Sequence, residues 1–186
     1  MSQPPPEGGA GERSVRDQVE RYQRLADVAA SREDRLALLG HVARAQLELG
    51  RLREAEASLR TAVELAAELA DQRGVVTSLD RLAAVVRQQN RPADAEPAYR
   101  RALAVVAAAG GAMADLEAEL HQHYGDCLAE LGRREEAVRE LRLAVAAQRT
   151  GGDPAAVAAV ERALDALGAA DGPHAPDAPD AHADPR

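Results

Sequence analysis

The chain has 186 residues, a 46% apolar content, a formal charge of −8 and one cysteine, which is enough material for a single domain with a core or for a short array of repeats. With no lysine at all, it has no P-loop lysine, no Schiff-base lysine and no pyridoxal anchor. Net acidity and a supply of only three tyrosines, with no Phe or Trp, argue against nucleic-acid binding through phosphate contacts or base stacking.

Residues 1–13 are rich in Pro and Gly and carry no apolar stretch. They read as a disordered tail with no signal peptide. Together with the lone Cys127, which cannot form an internal disulfide, this predicts a cytoplasmic protein. From 14 to 168 the sequence reads helical throughout, because Ala, Leu, Arg and Glu lose little on entering a helix. A helix is expected over 14–30 with Val15, Val19, Tyr22, Leu25, Ala26 and Ala29 on one face and Ser14 as its cap. Ser31, Gly50, Gly74, Asn90 with Pro92, Gly110-Gly111, Gly132, Gly151-Gly152 and Gly168 mark the following breaks. Asp153-Pro154 is an N-cap carboxylate followed by proline at a first helical position, and it predicts a helix over 154–167 with Val157, Val160, Leu164 and Leu167 on one face. Residues 169–186 again have almost nothing to bury and read as a second disordered tail. No segment alternates β-branched and aromatic residues, so the expectation is an all-α chain of about eight helices. Its longest uncharged run, 102–114, is too short to span a bilayer.

Three segments of the helical part superimpose. AQLELGRLREAEASLRTAVEL (45–65), VVRQQNRPADAEPAYRRALAV (85–105) and CLAELGRREEAVRELRLAVAA (127–147) each place a turn residue (Gly50, Asn90, Gly132) ahead of two alanines that flank a large residue. These triplets are Ala55, Leu59, Ala62; Ala95, Tyr99, Ala102; and Ala137, Leu141, Ala144. The first helix of each unit then ends at the turn and the second returns antiparallel, with small residues where the two cross. Upstream, each first helix carries its own stripe: Leu39, Val42, Ala43, Gln46; Leu79, Leu82, Ala83, Val86; and His121, Tyr124, Gly125, Leu128. Units are expected at 32–71, 74–110 and 112–149.

This pattern resembles the tetratricopeptide repeat (TPR), with its LGxxY stripe on helix A and its turn-then-A-xxx-F/Y-xx-A on helix B. The spacing of 40 and then 42 residues between units is similar to the extended variety found in kinesin light chains. Departures from the family pattern are Gln46, Val86 and Leu128 at the usual helix-A tyrosine, and a missing unit-closing proline. The resemblance implies a right-handed α-solenoid of about three helical hairpins. Helices 14–30 and 154–167 would cap its ends, which otherwise expose apolar faces; helix 14–30 could alternatively form a homodimer face.

The resemblance also implies that work is done in a concave groove lined by the A helices, where a non-enzymatic adaptor or scaffold would hold a segment of a partner protein. Carried over, the groove positions are Gly40, Arg44, Leu47 and Glu48 from the first unit, Thr77, Asp80, Ala84, Arg87 and Gln88 from the second, and Glu119, Gln122, Asp126 and Glu130 from the third. Arg44 and Arg87 are the expected carboxylate partners. Alternatives are a regulatory sensor of a small peptide or metabolite, or a homo-oligomerising structural protein. The lysine-and-asparagine clamp of chaperone-tail-binding TPRs is not present, since Gly40, Arg44 and Ala84 stand in that region.

No cofactor, metal, nucleic acid or membrane is expected as a partner. His121, His123, Asp126 and Cys127 form the one tempting cluster, but on a helix the two histidines point to opposite sides, and zinc needs three or four ligands. His174 and His182 are isolated in the tail. Ser14 and Ser31 read as caps and have no histidine partner, and Glu135-Glu136 is explained by the dipole at a helix N-terminus. Of the 85 apolar residues, 43 are alanine, all 23 basic residues are arginine, and Phe, Ile and Lys are missing together, as codon usage in a GC-rich bacterial genome would produce. The two tails carry half of the −8.

Overall fold

Strong helix formers between regularly spaced breaks fold into helices of nearly one length. The computed structural model describes residues 8–151 and 154–169. Among them are eight helices and no strand: α1 (Gly8–Asp27), α2 (Arg32–Glu48), α3 (Leu52–Glu68), α4 (Gln72–Gln88), α5 (Pro92–Ala108), α6 (Ala114–Glu130), α7 (Arg134–Gly151) and α8 (Pro154–Ala169). Each packs on its neighbours in the chain, and α4 in addition touches α6. This is the antiparallel zigzag of an α-solenoid, with α2, α4 and α6 as first helices and α3, α5 and α7 as second helices.

The turns explain the even lengths. Gly50, Ala70, Asn90 and Gly132 all have positive φ, from 54° to 73°. At each, the turn N–H bonds back to one carbonyl and the next N–H to the carbonyl before it: Gly50 to Leu47 and Arg51 to Gln46, both at 2.9 Å, and likewise at the other three. This is the Schellman closure, which satisfies carbonyls a helix end would leave orphaned. At Gly110-Gly111 both glycines have positive φ, and the connection runs on through Ala112 and Met113 before α6 begins. That extension is the source of the longer second spacing.

The predicted crossings hold. Ala55, Ala62, Ala95, Ala102, Ala137 and Ala144 are at most 1% exposed, as are the large residues between them, Leu59, Tyr99 and Leu141. Gly125 is a true close approach, because a Cβ there would sit 2.8 Å from Leu141 Cγ and 3.3 Å from the Ala137 carbonyl. Gln46, at the usual tyrosine position, is buried and its amide oxygen accepts from Ser58 at 2.9 Å. Both expected end helices pack as caps: Val19 and Ala26 of α1 are buried, and Val160 of α8 closes over Leu141, Ala144 and Val145 with Val157, Leu164 and Leu167 beside it.

A regularity beyond the alanines ties unit to unit. Glu56 is 4% exposed and accepts from Gln89 Nε2 at 2.7 Å, from Arg91 at 3.1 Å and from Arg60. Glu96, one repeat later, accepts from Arg133 at 2.7 Å and from the Tyr124 hydroxyl at 3.2 Å. Both α3 and α5 thus offer a carboxylate to the arginine that follows the next first helix's turn. The third copy of this position is Val138, which lies where α8 covers the array, so the series stops where the repeats stop.

Local departures from expectation have simple causes. α1 reaches back to Gly8 and stops at Asp27, so Ser14 lies inside it rather than capping it; the last proline upstream is Pro6, and only glycine's weak propensity opposes the extension. Leu25 remains 42% exposed and Val28 76%, because the packed face of α1 runs through Val19 and Ala26. Gly74 is not a break but lies in the first turn of α4, where a Cβ would collide with the capping carboxylate of Asp71; the turn falls at Ala70 instead. The Asp153 cap, His174, His182, most of the N-terminal tail (1–7) and residues 170–186 lie outside the described residues.

Candidate functional site

The first helices α2, α4 and α6 stand side by side, and the residues they turn away from the second helices form the candidate binding face. What decides its chemistry is how many of those residues already bond each other. Between α4 and α6 three charge pairs run the length of the helices. Arg73 bonds Asp115, one nitrogen at 3.2 Å from Oδ1. His123 Nδ1 donates to Asp80 at 2.8 Å. Arg87 donates to both oxygens of Glu130, at 2.6 and 3.2 Å, and to the His123 carbonyl at 3.2 Å.

The electrostatics follow from these contacts. The hydrogen bond to Asp80 raises the pKa of His123 against the opposing effect of burial, with Asp126 and Glu119 adding to the rise. Burial is the largest influence on Arg87 and works against its charge, but Glu130 and Tyr99 together outweigh it and raise the pKa. Burial raises the Asp126 carboxyl, with Arg87 and His123 opposing. Beneath the bridges, burial pushes Tyr99 up to about 12 while the neighbouring Arg87 pulls the other way. The Tyr99 ring lies 5.9 Å from that of Tyr124 across the unit boundary.

The expected groove residues therefore fall into two sets. Asp80, Arg87 and Glu130 belong to one internal network through His123, with the Asp126 carboxyl beside it, so the carboxylate that Arg87 binds is the protein's own. Gln122 accepts from Gln148 at 3.4 Å. Arg44 donates to His41 Nδ1 at 2.9 Å, and His41 stacks on Tyr22 with ring centroids 5.2 Å apart. Glu48, Gln88 and Glu119 are exposed, and Leu47, Thr77 and Ala84 are partly so.

Between α2 and α4 the arrangement differs. The two helices barely touch and flank a cleft of about 510 Å³, floored by Leu59 and Ala62 of α3 and walled by Leu36, Ala37, Leu69, Thr77 and Ser78. Gly40 and Gly74 also line it, and its charged residues are Glu33, Asp71, Arg73 and Arg81, of which Asp71 caps α4 and Arg73 is held by Asp115. The Arg81 guanidinium lies 3.4 Å from where a Gly40 Cβ would be. No carboxylate among the described residues bonds Arg81. The repeat pattern places Gly40 and Thr77 on this face but does not mark Arg81, Arg73 or the apolar floor. The available signal was the repeat spacing itself, since Arg81 in the second unit is the counterpart of His123 in the third.

The two histidines that might have suggested a metal diverge. His121 donates to Glu140 of α7 at 2.7 Å, while His123 faces α4. Cys127 is buried, its Sγ 3.3 Å from the Pro92 carbonyl, and burial pushes the thiol up to about 11. Among the described residues no three His, Cys, Asp or Glu side chains gather as a metal site would require. No helix among them is long and apolar enough to cross a membrane.

The family model described as tetratricopeptide repeat matches residues 34–108 and 75–150. No curated protein matches the chain. Among solved structures it is similar to BtubC (BKLC) from P. vanneervenii, at 24% identity over 89% of this chain and 67% of that one, with a TM-score of 0.71. It is also similar to the nearly identical TPR-like repeats of a putative kinesin light chain from Podosopora anserina, at 21% identity, 85% and 79% coverage and a TM-score of 0.68. A third similar structure is PcrH in complex with the chaperone binding region of PopD, at 18% identity, 78% and 99% coverage and a TM-score of 0.61. At these identities the likeness establishes the fold.

Proposed function

Because the chain belongs to the tetratricopeptide repeat family, we propose that it is a protein-interaction adaptor that holds a segment of a partner protein on the face formed by its first helices. The fold is one that presents extended binding surfaces, and PcrH, a structure of similar fold, was solved with a segment of PopD bound. The observation that carries the reading is the α2/α4 cleft. It is a recess of about 510 Å³, of the size and mixed apolar and polar lining that ligand sites have, and it interrupts a face that is elsewhere bridged by its own side chains. No catalytic step is assigned to any residue.

The test is to fill the cleft without disturbing the core. Ala37 is an exposed residue on its wall, so Ala37→Trp should leave the circular dichroism spectrum unchanged. Proteins captured from a native lysate by the unaltered chain should be missing from the variant's eluate. Identical capture by both chains would remove the cleft from the binding surface.

A further inference from the structure

The unequal treatment of the two steps along the first-helix face is written position by position in the repeat. Counted back from their turn residues, Arg73 and Asp115 occupy the same place in the second and third units. Asp80 stands ten residues before Asn90, and His123 nine before Gly132. Arg87 stands three before Asn90, and Glu130 two before Gly132. The corresponding pairs one step earlier are Glu33 with Arg73, Gly40 with Arg81, and Leu47 with Gln88. None of these forms a bond. Arg73 is already held by Asp115, Leu47 and Gln88 are uncharged, and glycine stands where Asp80 would be. Arg81 is therefore a cation opposite a position that carries no carboxylate, in a recess with an apolar floor.

We propose that the α2/α4 cleft binds a peptide segment in which an acidic residue adjoins an aliphatic one. The segment's carboxylate bonds the Arg81 guanidinium, and the aliphatic side chain lies on Leu36, Leu59 and Ala62. This rests on the adaptor reading above and narrows it to one partner chemistry. An arginine presents a planar fork of donors suited to a carboxylate. Glycine at 40 keeps any side chain of α2 off the guanidinium, which a Cβ there would approach to 3.4 Å, while the floor supplies the apolar burial that a lone ion pair at a surface lacks.

The experiment uses the full chain and two fluorescein-labelled hexapeptides, one of alternating glutamate and leucine and one with glutamine in place of glutamate, followed by fluorescence anisotropy. The glutamate peptide is expected to bind about tenfold more tightly, the scale of one charge-assisted hydrogen-bonded contact. Arg81→Gln should reduce it to the level of the glutamine peptide and leave the latter unchanged. Gly40→Asp, which supplies Arg81 with an internal partner, should do the same while raising the melting temperature. Equal binding of the two peptides, no binding of either, or an unaffected Arg81→Gln variant would overturn the proposal. The Ala37→Trp chain separates the two ideas. If it loses both peptides while the unaltered chain binds them equally, the carboxylate contact fails and the groove reading stands. If it still binds the glutamate peptide, the groove reading fails as well.

Discussion

Ala70 and Gly125 show how single positions set the repeat. Ala70 closes the α3/α4 turn with φ of 54°, the left-handed region in which a Cβ crowds the following carbonyl. The other Schellman turns use Gly50, Asn90 and Gly132, residues that tolerate it. Ala70 is exposed and gives up no packing when replaced, so Ala70→Gly should stabilise the protein by up to about 1 kcal/mol, read as a higher urea midpoint with an unchanged m-value. A lower midpoint would mean that Ala70 is not strained. The reverse constraint holds at Gly125, where Leu141 leaves no room for even one carbon. The alanines share this logic at one remove, since those at the crossings are buried because only a small side chain lets two helices approach so closely.

At the scale of elements, the join between successive hairpins is partly apolar and partly ionic, and the two parts differ in worth. Glu96 is mostly buried, with its side chain 18% exposed, and joins α5 to Arg133 at the α6/α7 turn. Exposed pairs such as Arg149 with Glu161 hold two long side chains in place for little net gain. Glu96→Ala also leaves the Tyr124 hydroxyl without its acceptor and should cost about 1–2 kcal/mol. A double-mutant cycle with Arg133→Ala should return a coupling of at least about 0.5 kcal/mol. The same cycle on Arg149 and Glu161 should return close to zero. Equal couplings at the two sites would show that burial does not distinguish them.

For the whole molecule, the three bridges make the second and third units one body along the first-helix face, and His123 makes that body sensitive to pH. Its pKa is raised by Asp80, with Asp126 and Glu119 acting in the same direction and Arg87 lying alongside. A group whose folded pKa exceeds its unfolded value, about 6.5 for histidine, stabilises fully below that value and loses the contribution as pH rises through the folded pKa. The unaltered chain should therefore exceed His123→Gln in stability by about 1 kcal/mol or less at pH 5.5, and the gap should close by pH 8.5. A gap that widens toward alkaline pH would contradict the charged pairing. The first unit lacks every one of these bridges, so on the proposed adaptor function it is the part of the face that a partner segment would stiffen.

Much of this was legible in the chain itself. The helices, three of the four Schellman turns, the buried alanine and leucine positions and both caps follow from local propensity and from spacing, because each depends on residues only a few positions apart. Gly74 misled because glycine marks equally a turn and a crowded first turn, and only the position of the Asp71 carboxylate distinguishes them. The candidate face was legible as a set of residues but not as a chemistry. Arg87 and Glu130, or Asp80 and His123, look like solvent-facing charges until the stacking of one hairpin on the next brings them within hydrogen-bond distance. Sequence alone determined the repeat and its small-residue crossings, since these are properties of a single hairpin. Which charges are consumed, and that Arg81 is left without a carboxylate at an open cleft, was decided by the tertiary structure, because a charge's availability depends on neighbours about forty residues away.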